Sequence, residues 1–125
     1  MKYKNEQIEK DFIHWLRKNP PYGPFMRLYK VLLAIDALSR ATGHGDITVT
    51  DFLRAQDFDS YHSKGQAADI RVRGHARNWY EAMVLLKHVI LKLDWQCQID
   101  LHLELLNKDQ QHLHVEIDDN SLTTR

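Results

Sequence analysis

Residues Ser60 to Asp69 read Ser-Tyr-His-Ser-Lys-Gly-Gln-Ala-Ala-Asp, and His112-Leu113-His114 sits in an alternating run near the other end of the chain. Imidazoles and carboxylates are donors that zinc accepts from proteins. A histidine, a carboxylate and a second histidine make a three-ligand set. It leaves the fourth tetrahedral position for water, which is the composition of a catalytic rather than a structural zinc site. The chemistry this composition predicts is metal-assisted hydrolysis.

The elements that must position these residues can be read from periodicity. Asn5 to Lys18 places Ile8, Phe12, Ile13, Trp15 and Leu16 near helical spacing and stops at Asn19-Pro20-Pro21, where a helix cannot continue. Phe25 to Ala41 carries Leu28, Val31, Leu32, Ile35 and Leu38 on one face, with Gly43 and Gly45 just past its end, and predicts a second helix. Asp46 to Leu53, rich in β-branched and aromatic residues, reads as a strand ending at Arg54, and Ala67 to Val72 as another. Asn78 to Leu91 predicts a third helix with Trp79, Met83, Leu86, Val89 and Ile90 inward. Ile99 to Leu106 and His112 to Asp118 both alternate around the turn-like Asn107 to Gln111, which predicts a closing hairpin.

In that hairpin His102 and Glu104 share one face, His112, His114 and Glu116 share another, and Leu101, Leu103, Leu105, Leu113, Val115 and Ile117 form the apolar set of opposite parity. A register that sets Glu104 opposite His114 would bring the two polar groups together. The expected architecture is α+β: one domain over residues 1–125, helices on one face of a small antiparallel sheet, and a zinc cleft on the other face. The tail from Asn120 to Arg125 offers little to pack and is expected to be mobile.

At Ser60, His62, Gly65, Ala67 and Asp69 the sequence resembles the Ser-x-His-x-x-Gly-x-Ala-x-Asp motif of a superfamily of zinc peptidases. That superfamily includes D-alanyl-D-alanine carboxypeptidases and dipeptidases, phage L-alanyl-D-glutamate endolysins, murein endopeptidases and the hedgehog signalling domain. His112-Leu113-His114 resembles its His-x-His motif, and the order of the elements over roughly residues 25 to 118 is similar. The resemblance implies that His62, Asp69 and His114 hold one zinc ion. It also implies that Arg54 binds a substrate carboxylate or carbonyl and that the substrate is a peptide of bacterial peptidoglycan. Tyr61 is a candidate cleft wall beside the metal, and Ser60 a residue that holds the loop.

Gly65 permits a turn, and Ala67 with Ala68 allows close backbone approach, so the Asp69 carboxylate can return toward His62. The sequence departs from the dipeptidase and endolysin pattern at Gln111, three residues before the last histidine, where those members place a carboxylic acid. Other members use the first histidine of His-x-His. On that pattern His112 is the proton shuttle or transition-state donor, with Glu104 a cross-strand candidate and Asp109 a weaker one.

The remaining features are ordinary. Lys plus Arg (17) balances Asp plus Glu (17), which gives no basic signature for nucleic acid. No segment approaches a membrane span, and the opening residues lack the apolar core of a signal peptide. The chain is expected to be a monomer, cytoplasmic as synthesised, and either a dipeptidase kept there or a compact endolysin core released to the wall by a phage lysis system. Cys97 stands alone and reads as a small core residue, and Trp15, Trp79 and Trp95 read as core, while His44, His75, His88 and His102 read as structural or exposed and Arg71 and Arg73 as surface charges. Two alternatives from other classes stay open: a zinc-binding domain without catalysis that acts in recognition or assembly, and a phage structural component stabilised by its metal.

Overall fold

The protein, as a computed structural model, is described over residues 1–18, 23–53, 65–71, 77–93, 97–102 and 112–117. The elements there run β1 (Lys2–Tyr3), α1 (Glu6–Lys18), α2 (Pro24–Ala41), β2 (Thr48–Asp51), β3 (Ala67–Arg71), α3 (Arg77–Leu93), β4 (Cys97–His102) and β5 (His112–Ile117). The class is α+β as expected. Among the described residues, no helix is long and apolar enough to cross a membrane.

Each helix carries its own boundary signal. In α1 the Asn5 side chain accepts the Ile8 N–H at 3.0 Å, an N-cap, with Glu6 and Glu9 in the first turn and Arg17 and Lys18 in the last, the charge order that complements the helix dipole. Pro24 opens α2 at a position where its missing N–H costs nothing. Its far end is a Schellman turn: the His44 N–H donates to Ser39 O and the Gly43 N–H to Arg40 O, both at 3.0 Å, with Gly43 at φ 83°.

The strands form a five-stranded sheet in the order β1-β2-β3-β5-β4. It is mixed rather than antiparallel, because β1 lies parallel to β2 while the other pairs are antiparallel. Lys2–Tyr3 is too short to show alternation in the sequence. Its place is set by two backbone bonds, Lys2 N–H to Ile47 O at 2.7 Å and Lys4 N–H to Val49 O at 2.9 Å.

The hairpin register also differs from the expected one. Residue His114 pairs with Asp100, and His112 with His102, so Asp100 takes the place foreseen for Glu104. The residues between His102 and His112, where the five-residue turn was expected, lie outside the described residues. A slip of four residues preserves parity, so the division into an apolar and a polar face stands. In β5, Leu113, Val115 and Ile117 are buried and His112, His114 and Glu116 are partly exposed.

The apolar face packs on the helices in one cluster, with Val49, Ala68, Ile70, Ile99, Leu113, Val115 and Ile117 against Phe12, Phe25, Leu28, Leu32, Ile35, Trp79 and Met83. Trp79 is fully buried, and its indole N–H donates to Ser39 Oγ at 3.1 Å, which ties α3 to α2. Phe12, Phe25 and Phe52 stack around one another with centroids 4.3–5.6 Å apart.

Asp36 is the charged group at the heart of this layer. It is buried, accepts the Ile47 N–H at 2.8 Å, and lies 3.3 Å from the Met1 amino group and 3.4 Å from the Arg40 guanidinium. This carboxylate joins α2 to the approach of β2. Asp36→Ala strands a buried amide and removes the anion that its cations face, and is expected to cost about 3 kcal/mol in chemical denaturation, with Asp36→Asn recovering part of the loss.

Candidate metal centre

The polar face of β3 and β5 is built by a turn, two small residues and a register. Gly65 has φ +67°, and a β-carbon there would lie 2.6 Å from the Trp15 ring of α1, so both conformation and space exclude a side chain. Gln66 follows and is buried; its amide donates to Ile117 O and its own carbonyl accepts the Ile117 N–H, both at 2.8 Å. That pair locks the entry of β3 to the end of β5. Ala67 and Ala68 are fully buried, and the next residue is Asp69, only 4% exposed.

From there the sheet register does the work. Asp69 lies opposite His114, and Arg71 opposite His112. The Asp69 Oδ1 accepts a hydrogen bond from His114 Nδ1 at 2.7 Å, while the other ring nitrogen, Nε2, is 3.0 Å from Glu116 Oε1. His112 Nε2 lies 3.8 Å from the same Asp69 oxygen. On the far side of Asp69, an irregularity in β2 between Val49 and Asp51 sets Asp51 opposite Asp69. Asp69, His112 and His114, three of the residues expected to do chemistry, are therefore together.

The other expected residues, Arg54, Tyr61, His62 and Glu104, lie outside the described residues, as do Ser60, Asp109, Gln111, Arg73, His75, Trp95 and the tail 120–125. The cross-strand argument for Glu104 falls with its register, since Asp100 occupies the place opposite His114. Two features escaped the sequence reading. Glu116 was placed on the histidine face by alternation, but its contact with His114 was not foreseen; the spacing of two residues along one strand was the available signal. The position of Asp51 depends on the irregularity in β2, which leaves no mark in the sequence.

Can these side chains hold a metal? Among the described residues no three His, Cys, Asp or Glu side chains form a group able to do so. Asp69 and His114 nevertheless supply two donors of the type zinc prefers, turned toward each other at 2.7 Å. Tetrahedral zinc with bonds near 2.0–2.1 Å separates its donors by about 3.3 Å, so the pair must open by about half an ångström to admit the ion. The chemistry of these two donors is compatible with zinc, and a third ligand would have to come from outside the described residues.

In the metal-free protein His114 titrates at about 8, raised first by its hydrogen bond to Asp69, opposed by burial, and raised further by Glu116. The imidazolium is thus favoured by folding. The stabilisation is complete below the ordinary histidine value of 6.5, is lost as pH rises from 6.5 to about 8, and is absent above that. The difference corresponds to about 2 kcal/mol. Metal-free protein is expected to lose that much stability relative to His114→Gln across this window, measured as urea unfolding at a series of pH values. A metal ion on this nitrogen would have to displace its proton, so a site built on His114 would bind more tightly as pH rises toward about 8.

No family model matches the chain, and neither a curated protein nor a solved structure does so. The class that fold and site define is an α+β domain with a buried aspartate paired to a partly exposed histidine on the polar face of a mixed sheet.

Proposed function

We propose that the chain is a zinc-dependent peptidase acting on peptide bonds of bacterial cell-wall peptide, of the type that the Ser60–Asp69 and His112–His114 motifs resemble. The observation that carries this reading is the direct pairing of Asp69 with His114 across β3 and β5, with His112 beside them on one polar face. The motifs bring the chemistry, and the register supports it by joining residues 45 positions apart.

In this reading His62, Asp69 and His114 hold the ion. When bound, zinc supplies Lewis-acid polarisation of a carbonyl and acidification of water. Asp69 contributes one negative charge, which leaves the site net positive. His112, partly exposed and on the same face, accepts a proton and delivers it to the leaving amine. Arg54 and Tyr61 orient the substrate, the guanidinium by pairing with a carboxylate or carbonyl oxygen.

The test is mass spectrometry of intact peptidoglycan and of free muropeptides incubated with the protein, with and without chelator. Chelator-sensitive release of a defined peptide fragment is the expected result and would name the bond. Zinc binding without any cleavage would favour the second reading, a zinc-binding domain acting in recognition or assembly, which Gln111 in place of the usual acid supports.

A further inference from the structure

We propose that Glu116 is the positioning residue of this centre, holding the proton of His114 on Nε2 so that Nδ1 is turned to the metal. The inference rests on the metal reading above and assigns a role that neither motif contains. An imidazole binds a metal through one nitrogen, and the other must then carry the proton. Which nitrogen does which is set by the hydrogen bond on the far side of the ring. In His114 the two sides are distinct. Nδ1 faces Asp69 Oδ1 at 2.7 Å, and Asp69 is itself a ligand, so this is the side on which an ion is shared. Nε2 faces Glu116 Oε1 at 3.0 Å, and nothing in either motif requires a carboxylate there.

The strand makes this contact by construction. Glu116 is two residues after His114 in β5, so both project from one face, with side chains 19% and 18% exposed. Across the sheet its partner in β3 is Ala67, a fully buried residue with the smallest side chain after glycine. The residue at the register position opposite Glu116 thus has no side chain beyond its β-carbon, and the polar contact Glu116 makes along its own strand is with His114. A carboxylate so placed orients the ring and raises its basicity as a ligand.

Zinc affinity, measured by competition with a chromogenic chelator, together with imidazole nitrogen NMR of His114 in zinc-loaded protein, tests the proposal. Glu116→Ala is expected to weaken zinc binding by about 10–100-fold, whereas Glu116→Gln, which keeps an oxygen acceptor, stays within about threefold of the parent. The loaded parent protein should show Nε2 protonated. Far-ultraviolet circular dichroism of the metal-free variants separates lost positioning from lost fold; if Glu116→Ala does not fold, the isosteric glutamine variant and the nitrogen spectrum decide. Equal affinity in a folded Glu116→Ala, or zinc on Nε2 in the parent, overturns the inference while leaving the centre intact. Failure of the parent protein to bind zinc overturns the metal reading and this inference with it.

Discussion

Asp69→Ala is expected to lower zinc affinity by at least about a hundredfold, beyond the 10–100-fold range of outer-shell substitutions, and to remove any chelator-sensitive hydrolysis. Asp69 is 4% exposed and its carboxylate is shared: Oδ1 takes the His114 Nδ1 hydrogen bond at 2.7 Å and lies 3.8 Å from His112 Nε2. In the proposed centre, removing it takes away a ligand, the negative charge that makes a divalent ion tolerable in a partly buried site, and the group that aligns the second ligand. Asp69→Asn separates these contributions, because the amide oxygen keeps the shape and loses the charge. Its zinc affinity should fall nearly as far, and the His114 titration should move down toward the ordinary histidine range, since its first-ranked stabilising partner is gone. Competition titration with a chelator and histidine NMR read both effects.

Gly65→Ala is expected to destabilise the protein by about 3 kcal/mol and to weaken zinc binding at the proposed centre at the same time. Two costs act at one position. The left-handed backbone at φ +67° disfavours any β-carbon, and that carbon would stand 2.6 Å from Trp15 Cζ3 and 2.7 Å from Cε3. The ring is part of α1 and is wedged beside Phe25 and Phe52, with centroid separations of 5.7 and 6.2 Å, so it cannot swing away freely. Trp15→Ala in the same chain should recover the steric part and leave the backbone part of about 1 kcal/mol. Thermal unfolding of the four proteins in this cycle measures the coupling. The finding also changes how the motif is understood, since its glycine serves helix packing as well as the turn.

Long apolar periodicities were legible in the sequence. Ile8 and Phe12, the Leu28 to Ile35 stripe, and Trp79 with Met83 are buried in the positions that helical spacing required, whereas Ile13 and Val89, read onto the same apolar faces, are exposed because they lie at the edge of each stripe. Alternation in His112 to Ile117 gave the correct faces, because parity survives a register slip of an even number of residues. What it could not give was the register itself, because alternation is unchanged by any slip of an even number of residues. The two-residue β1 and the irregularity beside Thr50 were equally silent: neither is long enough to impose a period, and both are fixed by tertiary pairing. For the site, residue type and motif spacing singled out Asp69, His112 and His114, while the contact of Glu116 with His114 became visible only when strand geometry put two side chains on one face.

Whether Asp69 and His114 belong to a zinc centre is tested most directly by the zinc content of purified protein after equilibration with zinc and removal of excess. One zinc ion per chain in the parent protein, lost in folded Asp69→Asn and His114→Gln, is the expected result. A parent protein that retains no zinc, or one whose zinc survives both substitutions, would contradict the assignment.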